Sequence, residues 1–332
     1  MKNKISLIIP SISRSFSMND LLTNICLWSF LPSEIVIVNT SGTKIIVENY
    51  LKKKFDKINI SLNIINKKNL YPGAARNLGI LNSKFDYILF LDMNTVPYSK
   101  DWLKNNFDFL LKNKLDGLCG QTYYMAETFK EKLIRASTYG RGLLRTIPGS
   151  IFSKKTINDV GKFNSVTRAG EDTEWLQKLN KTNFKIRDSI VPIYYKGLYN
   201  VSYSGITKKW FRNYSFSANL PHLAPQKYLY LFLLFFFFIF VIFNWNSSNL
   251  NFGSELQLFI PKITKITLLF SILFYLIIRG IYIPLVKKIK LAYLLPYNIF
   301  LVTFFSFILD STKLLAFSLS FSLKRASLDR KK

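Results

Sequence analysis

Tyr87-Ile88-Leu89-Phe90-Leu91-Asp92-Met93-Asn94-Thr95 is the stretch on which the reading of this chain turns. Five apolar or aromatic residues in a row suit a strand covered on both faces, as in a parallel sheet with helices above and below. The run then stops at an acid. In open α/β sheets ligands bind outside the carboxyl ends of the strands, so Asp92 stands at the expected edge. Met93 separates Asp92 from Asn94, and side chains two apart along an extended chain share a direction. Two oxygen ligands on one edge suit a hard divalent cation that also grips a phosphate. The same residues also suit a strand closed by an Asx turn.

The segments before it alternate. Ile5–Pro10 reads as a first strand, which Pro10 ends by withholding a ladder donor, with a loop over 11–14. Asn19–Phe30 reads as a helix, Glu34–Asn39 as a second strand running into the polar turn Thr40-Ser41-Gly42-Thr43, Ile45–Phe55 as a second helix and Ile60–Ile65 as a third strand. This alternation predicts a parallel, doubly wound start. Pro72 and Gly73 open a further helix, with Arg76 in its first turns. An arginine there suits phosphate or a carboxylate. Pairing to a neighbouring acid is the structural alternative.

After the opening stretch, read as a strand over Phe85–Asp92, come a helix at Trp102–Lys112, a strand at Leu115–Tyr124 and a basic helix at Glu127–Arg145. Ile147–Phe152 is predicted as a turn entering a short strand, and Lys155–Val160 as a short helix. Gly170-Glu171-Asp172-Thr173-Glu174-Trp175-Leu176 is the second chemical stretch. Acids in a first turn complement the helix dipole, which is one reading. The other is that Asp172 is a carboxylate base facing a cleft. Pro192–Lys196 is a strand, and Ile206–Ala218 an aromatic, basic helix that suits lipid headgroups. His222, between Pro221 and Pro225, reads as a linker residue.

The chain has 332 residues, enough for about two domains. Its formal net charge of +27 suits nucleic acid, a membrane surface or an anionic nucleotide-linked substrate. No recognised nucleic-acid motif accompanies the charge, so no nucleic-acid partner is expected. Cys26 and Cys119 lie far apart in apolar segments and show no metal or disulfide pattern. No signal peptide is read ahead of the first strand, which places the first domain in the cytoplasm.

Past residue 222 the character changes. Tyr228–Trp245, Ile266–Val286 and Leu291–Leu309 are apolar runs of membrane-spanning length, and Ser311–Leu323 continues the last beyond Asp310. Lys287, Lys288 and Lys290 favour the cytoplasmic side, and the lysine-free loop 246–254 the outside. The basic tail of Lys324, Arg325, Arg330, Lys331 and Lys332 also favours the cytoplasm, which three crossings do not allow. The expected organisation is a domain over 1–222 and a multi-pass region over 223–332 with three or four helical segments, in the inner (cytoplasmic) membrane with the first domain cytoplasmic.

Taken together, the opening Ile-Pro strand, Glu34–Gly42, Pro72-Gly73-Ala74-Ala75-Arg76-Asn77-Leu78-Gly79, Phe90-Leu91-Asp92, Pro148-Gly149, Val160-Gly161-Lys162-Phe163 and Gly170-Glu171-Asp172-Thr173-Glu174 resemble the family 2 glycosyltransferases, over about residues 4–220. The resemblance implies the GT-A fold, a Rossmann-like, mostly parallel α/β sheet, and inverting transfer of a sugar from a nucleotide-diphosphate sugar to an acceptor hydroxyl. It makes Asp172 the general base, puts Asp92 and Asn94 on a divalent metal (Mg or Mn) at the diphosphate, and places Pro10, Asn39, Thr40, Arg76, Asp92 and Lys196 around the donor. The membrane runs suggest a lipid-linked or other glycan acceptor. Three departures stand out: Asn39 and Thr40 occupy places where the family has acids, Asn94 replaces the second metal-site acid, and Lys196 or a neighbour replaces a histidine. These changes predict a weakly bound metal, with Lys196 supplying charge in its place. A catalytically inactive sugar-nucleotide-binding homologue and a transport protein with a cytoplasmic domain are the alternative readings.

Overall fold

The computed structural model describes residues 4–12, 15–199, 201–242 and 262–329. The chain divides into two units, Met1–Glu127 with Gly142–Val201, and Thr128–Arg141 with Ser202–Lys332.

In the first unit, strands β1 (Ile5–Ser11), β2 (Glu34–Asn39), β3 (Ser61–Asn66) and β4 (Tyr87–Phe90) pair in parallel in the order β3-β2-β1-β4. Helices α1 (Ser15–Ile25), α2 (Asn49–Lys57) and α3 (Pro72–Leu81) make the crossovers. The sheet continues through β7 (Leu144–Ser153), antiparallel to β4, and then β6 (Gly117–Tyr124), β9 (Ile193–Tyr195) and β5 (Thr95–Pro97), while β8 (Ile186–Asp188) pairs with β6. Helices α4 (Trp102–Lys112), α6 (Lys154–Val160) and α7 (Glu171–Asn180) complete it. This is the mixed, mostly parallel α/β sheet that the sequence predicts.

Burial on both faces explains the uninterrupted apolar runs. Leu7, Ile9, Ile35, Ile37 and Leu89 pack with Leu22, Phe55 and Trp102 from α1, α2 and α4. Ile8, Val36, Val38, Ile88 and Phe90 pack with Ala75, Ile157 and Trp175 from α3, α6 and α7. Fully burying each such side chain contributes about 1.5–3 kcal/mol. A Cβ at Gly79 would strike the Ile8 side chain, so glycine there lets α3 lie close on β1.

Several predicted boundaries move. Pro10 does not end β1, which pairs with β2 through Ser11. Leu91 N–H bonds Ile8 O and Thr40 N–H bonds Ser11 O, so even-numbered β1 residues face β4 and odd-numbered ones β2. Pro10 faces β4 beyond that strand's last bond, where no N–H is needed. The helix expected over Glu127–Arg145 is α5 (Phe129–Ser137). Gly140, at φ +74°, ends it by donating to Arg135 O, and the chain re-enters the sheet at Leu144. The turn expected at Pro148-Gly149 is instead an irregularity inside the ten-residue β7. The three-residue β5 and β8 carry too little pattern to be read.

The second unit is helical. Besides α5 it holds α8 (Tyr203–Ser217), a 3₁₀ turn at Pro221–Leu223 that includes His222, α9 (Ala224–Ile242), α10 (Lys262–Leu276), a π-helical segment at Ile277–Tyr282, α11 (Ile283–Val286), α12 (Leu291–Leu294) and α13 (Asn298–Asp329). Among the described residues two helical stretches, Leu269–Val286 and Asn298–Ser320, are long and apolar enough to cross a membrane. The first predicted run falls on α9 as far as Ile242; residues 243–245, the loop 246–254 and the tail residues 330–332 lie outside the described residues. The third run is split, its start forming α12 and the rest, from Asn298, joining the continuation in one helix, α13, unbroken at Asp310.

Candidate active site

The chemistry-bearing residues of the first unit gather at the carboxyl end of the parallel strands. Asp92 follows β4 at the start of a tight turn. Thr95 closes that turn on the Asp92 main chain: its N–H and hydroxyl both donate to Asp92 O, at 3.0 and 2.5 Å, and its hydroxyl accepts from Asp92 N–H at 3.2 Å. The turn is therefore held by Thr95, and a carboxylate oxygen of Asp92, Oδ1, accepts from Arg76 Nη2 at 3.3 Å. Residues 92–94 form this turn and not a strand, so alternation does not set the directions of Asp92 and Asn94. Both are accessible: the Asp92 side chain is 39 % exposed, and Asn94 is exposed.

Arg76 ties the cluster together. Pro72 stands at the N-terminus of α3, where its missing N–H costs nothing, and a Cβ at Gly73 would run into the backbone carbonyl of Asn164. This close seating brings Arg76 between two acids. Its Nη1 donates to Glu171 Oε1 at 2.7 Å and its Nη2 to Asp92 Oδ1, while the guanidinium lies 5.7 Å from the centre of the Phe163 ring. Burial works against the arginine's charge, and Asp92, Glu171 and Asp172 outweigh it, raising its pKa. Of the two readings of Arg76, the geometry shows pairing to acids.

Gly170 caps α7 at φ +84°, a left-handed conformation suited to glycine, so Glu171 and Asp172 enter the first turn. Glu171 is buried against Arg76. Burial pushes its carboxyl up to about 7, with Arg76 pulling it down and Asp172 adding to the rise. Asp172 is half-buried, and its Oδ1 accepts from Thr173 N–H at 2.7 Å. Asp92 and Asp172, 80 positions apart in sequence, thus act on the same guanidinium. They also act on one phenol: burial first, then Tyr195, Asp172 and Asp92, raise the pKa of Tyr124, at the end of β6. Tyr124 packs on Tyr195, with ring centres 4.9 Å apart. Sequence reasoning passed over Tyr124, because nothing in an apolar strand marks its last tyrosine, and it read Glu171 only as a helix-capping acid.

The other predicted residues take distinct places. Asn39, 3 % exposed, spends its amide on the loop after β2: Nδ2 donates to Thr43 O at 2.6 Å and to Asn66 Oδ1 at 2.8 Å, and Oδ1 accepts from Ser41 N–H and Oγ at 3.2 and 2.8 Å. A carboxylate could not make the two donations, which gives a structural reason for asparagine here. Thr40 bonds Ser11 O through both its N–H and its hydroxyl, at 2.8 and 3.1 Å. Pro10 lies opposite Val38. Lys196 is exposed, and its N–H donates to Asn94 O at 2.8 Å, which sets the lysine's backbone beside the Asp92 turn.

Among the described residues there is no group of three or more His, Cys, Asp or Glu that could hold a metal ion. The donors at the β4 edge, one carboxylate and one amide, fit a cation of the Mg type, which takes most of its ligands from phosphates and water.

Residues 6–178, just over half of the chain, match Glycosyl transferase family 2. The chain belongs to that family, and its first unit carries a glycosyltransferase domain of GT-A type. An uncharacterized glycosyltransferase of Rickettsia felis is 29 % identical over 179 residues, and one of Rickettsia conorii shows the same identity over the same length. Each match covers 51 % of this chain and 29 % of the relative, so the chain spans less than a third of these relatives' length. Among solved structures, S. aureus TarS 1-349 in complex with UDP-GlcNAc aligns with TM-score 0.44 and 19 % identity, over 69 % of this chain and 71 % of that one. The mannosyltransferase PcManGT from Pyrobaculum calidifontis, in complex with GDP-Man and Mn2+, aligns with TM-score 0.46 and 13 % identity, over 68 % and 64 %.

Proposed function

We propose that the protein is an inverting glycosyltransferase that moves a sugar from a nucleotide-diphosphate sugar to an acceptor hydroxyl. The observation that carries this reading is the gathering of acids about one buried arginine at the carboxyl edge of the sheet: Asp92 and Glu171 bond Arg76 directly, and Asp172 follows Glu171 in the first turn of α7. Two acids from distant segments then serve two tasks. Asp172 accepts the proton of the acceptor hydroxyl as that oxygen attacks the anomeric carbon. The bond from that carbon to the diphosphate breaks on the opposite face, the configuration inverts, and the nucleoside diphosphate leaves with the electron pair.

Asp92 stands at the phosphate side. With Asn94 it would hold a divalent cation, which when bound would neutralise charge on the leaving diphosphate. Arg76 keeps the Asp92 carboxylate in place and acts on the donor through it. Pro10, Asn39 and Thr40 shape the nucleotide side of the site, and Lys196 adds positive charge beside the Asp92 turn. The apolar helices of the second unit support a cytoplasmic-membrane location, with the first unit on the cytoplasmic side and a lipid-linked or glycan acceptor serving cell-surface synthesis.

The test is a screen of nucleotide-diphosphate sugars by thermal shift on the full chain, followed by a transfer assay. Asp172→Asn should bind the selected donor as the wild type does and transfer about 10²–10⁴-fold more slowly, the range for losing a general base. Transfer at the wild-type rate by Asp172→Asn, or a product with retained anomeric configuration, would overturn the proposal.

A further inference from the structure

Among its described residues the helical unit buries more positive charge than negative. Asp310 is the single acid in the sequence between Glu255 and Asp329. Tyr230 donates to its Oδ1 at 2.9 Å and Tyr275 to its Oδ2 at 2.8 Å. Arg279 contacts both oxygens, Nη2 at 3.3 Å from Oδ1 and Nε at 2.8 Å from Oδ2. Lys313 stands farther off, 3.5 Å from Oδ1, with its ammonium 5.0 and 5.6 Å from the ring centres of Tyr214 and Tyr230. The side chains of Arg279, Asp310 and Lys313 are only 12, 15 and 10 % exposed. Two cations thus share one anion away from water, and an uncompensated charge in such a place is costly.

A further cation and an unpartnered hydroxyl belong to the same unit. Lys287, at the end of the apolar stretch, donates to Thr138 O; burial and the charges of Arg279 and Lys313 push its pKa down to about 8. One turn before Asp310, the Ser306 hydroxyl is fully buried and has no hydrogen-bond partner among the described residues. Arg279 reaches Asp310 from the π-helical segment Ile277–Tyr282, a local departure that recurs at functional sites.

We propose that this cluster binds a phosphate group through Lys313, Arg279 and Lys287, and that the phosphate is carried by a membrane phospholipid. A phosphate supplies both the missing negative charge and several strong acceptors. The same helices expose large apolar side chains, Phe270, Phe274, Phe304 and Phe307, which suit acyl chains. The site lies wholly within the helical unit and stands independently of the sugar-transfer reading.

The full chain in a non-ionic detergent is titrated with dioctanoyl phosphatidic acid, with dioctanoylglycerol, which lacks only the phosphate, and with inorganic phosphate, following the melting temperature. Phosphatidic acid should raise it and the other two should not. Lys313→Met should weaken apparent affinity about ten-fold or more, as loss of a charge-assisted hydrogen bond predicts, while Lys313→Arg should keep it. Should Lys313→Met fail to fold, Lys287→Met is read with the same expected loss. Undiminished binding by the folded methionine variant, or an equal shift with dioctanoylglycerol, overturns the site. An equal shift with inorganic phosphate overturns its assignment to a lipid.

Discussion

Arg76 Nη1 lies 2.7 Å from Glu171 Oε1, and their side chains are 5 and 6 % exposed. A pair this buried is set by what would follow from removing one member: the other charge stays in a dry site with nothing to answer it. Above about pH 7, where Glu171 carries its charge, Arg76→Met should therefore cost about 3–5 kcal/mol of stability, as breaking a buried ion pair does. Adding Glu171→Gln should recover part of that loss, because the stranded carboxylate is gone. Denaturant unfolding of the single and double variants checks both; a double variant no more stable than Arg76→Met would contradict the pairing.

Glu171 also sets a pH dependence. Its carboxyl is raised from the ordinary 4.5 to about 7 in the folded protein. Between those values the folded state holds a proton that the unfolded state has released. Stability should thus fall as pH rises from about 4.5 to about 7, then level off. Glu171→Gln should remove that component of the slope. Identical pH profiles of melting temperature for the variant and the wild type would count against it.

Asn39→Asp probes the loop after β2. The substitution removes donations to Thr43 O and Asn66 Oδ1 and sets oxygen against oxygen. A loss of about 0.5–1.5 kcal/mol for each hydrogen bond is expected, because Asn39 is buried while Thr43 and Asn66 are exposed and can turn to water. Faster amide exchange at Ser41, whose N–H bonds Asn39 Oδ1, should accompany it. Unchanged exchange there would show that the loop does not depend on this side chain.

Lys196→Ala tests the division of charge at the diphosphate. The weak donor set at Asp92 and Asn94 predicts residual transfer by the wild type under chelation. Removing the Lys196 ammonium should abolish that residue and raise the requirement for Mg or Mn. Complete metal dependence in both proteins would remove any such role for Lys196.

Much of the first unit was legible because its physics is local. Runs such as Ile35–Val38 and Ile88–Phe90 allow little besides a doubly covered strand, and Pro72-Gly73 allows little besides a helix start. What escaped depends on distant partners. The alternation argument for Asp92 and Asn94 failed because Thr95 pulls the chain into a turn at once. Pro10 reads as a strand terminator from sequence alone, because its harmlessness depends on where β4 stops. The choice between phosphate and acid partners for Arg76 could not be made until Glu171, 95 positions away, was placed beside it. Three-residue strands such as β8 exist only through their neighbours in the sheet.

The unbroken course of α13 bears on how the protein would be threaded into a bilayer. Thirty-two residues of helix measure about 48 Å, against roughly 30 Å of hydrocarbon. A crossing α13 therefore keeps several turns in the headgroups or the water beyond. Tilting would draw more of that length into the hydrocarbon, so a thicker bilayer should let α13 stand more upright.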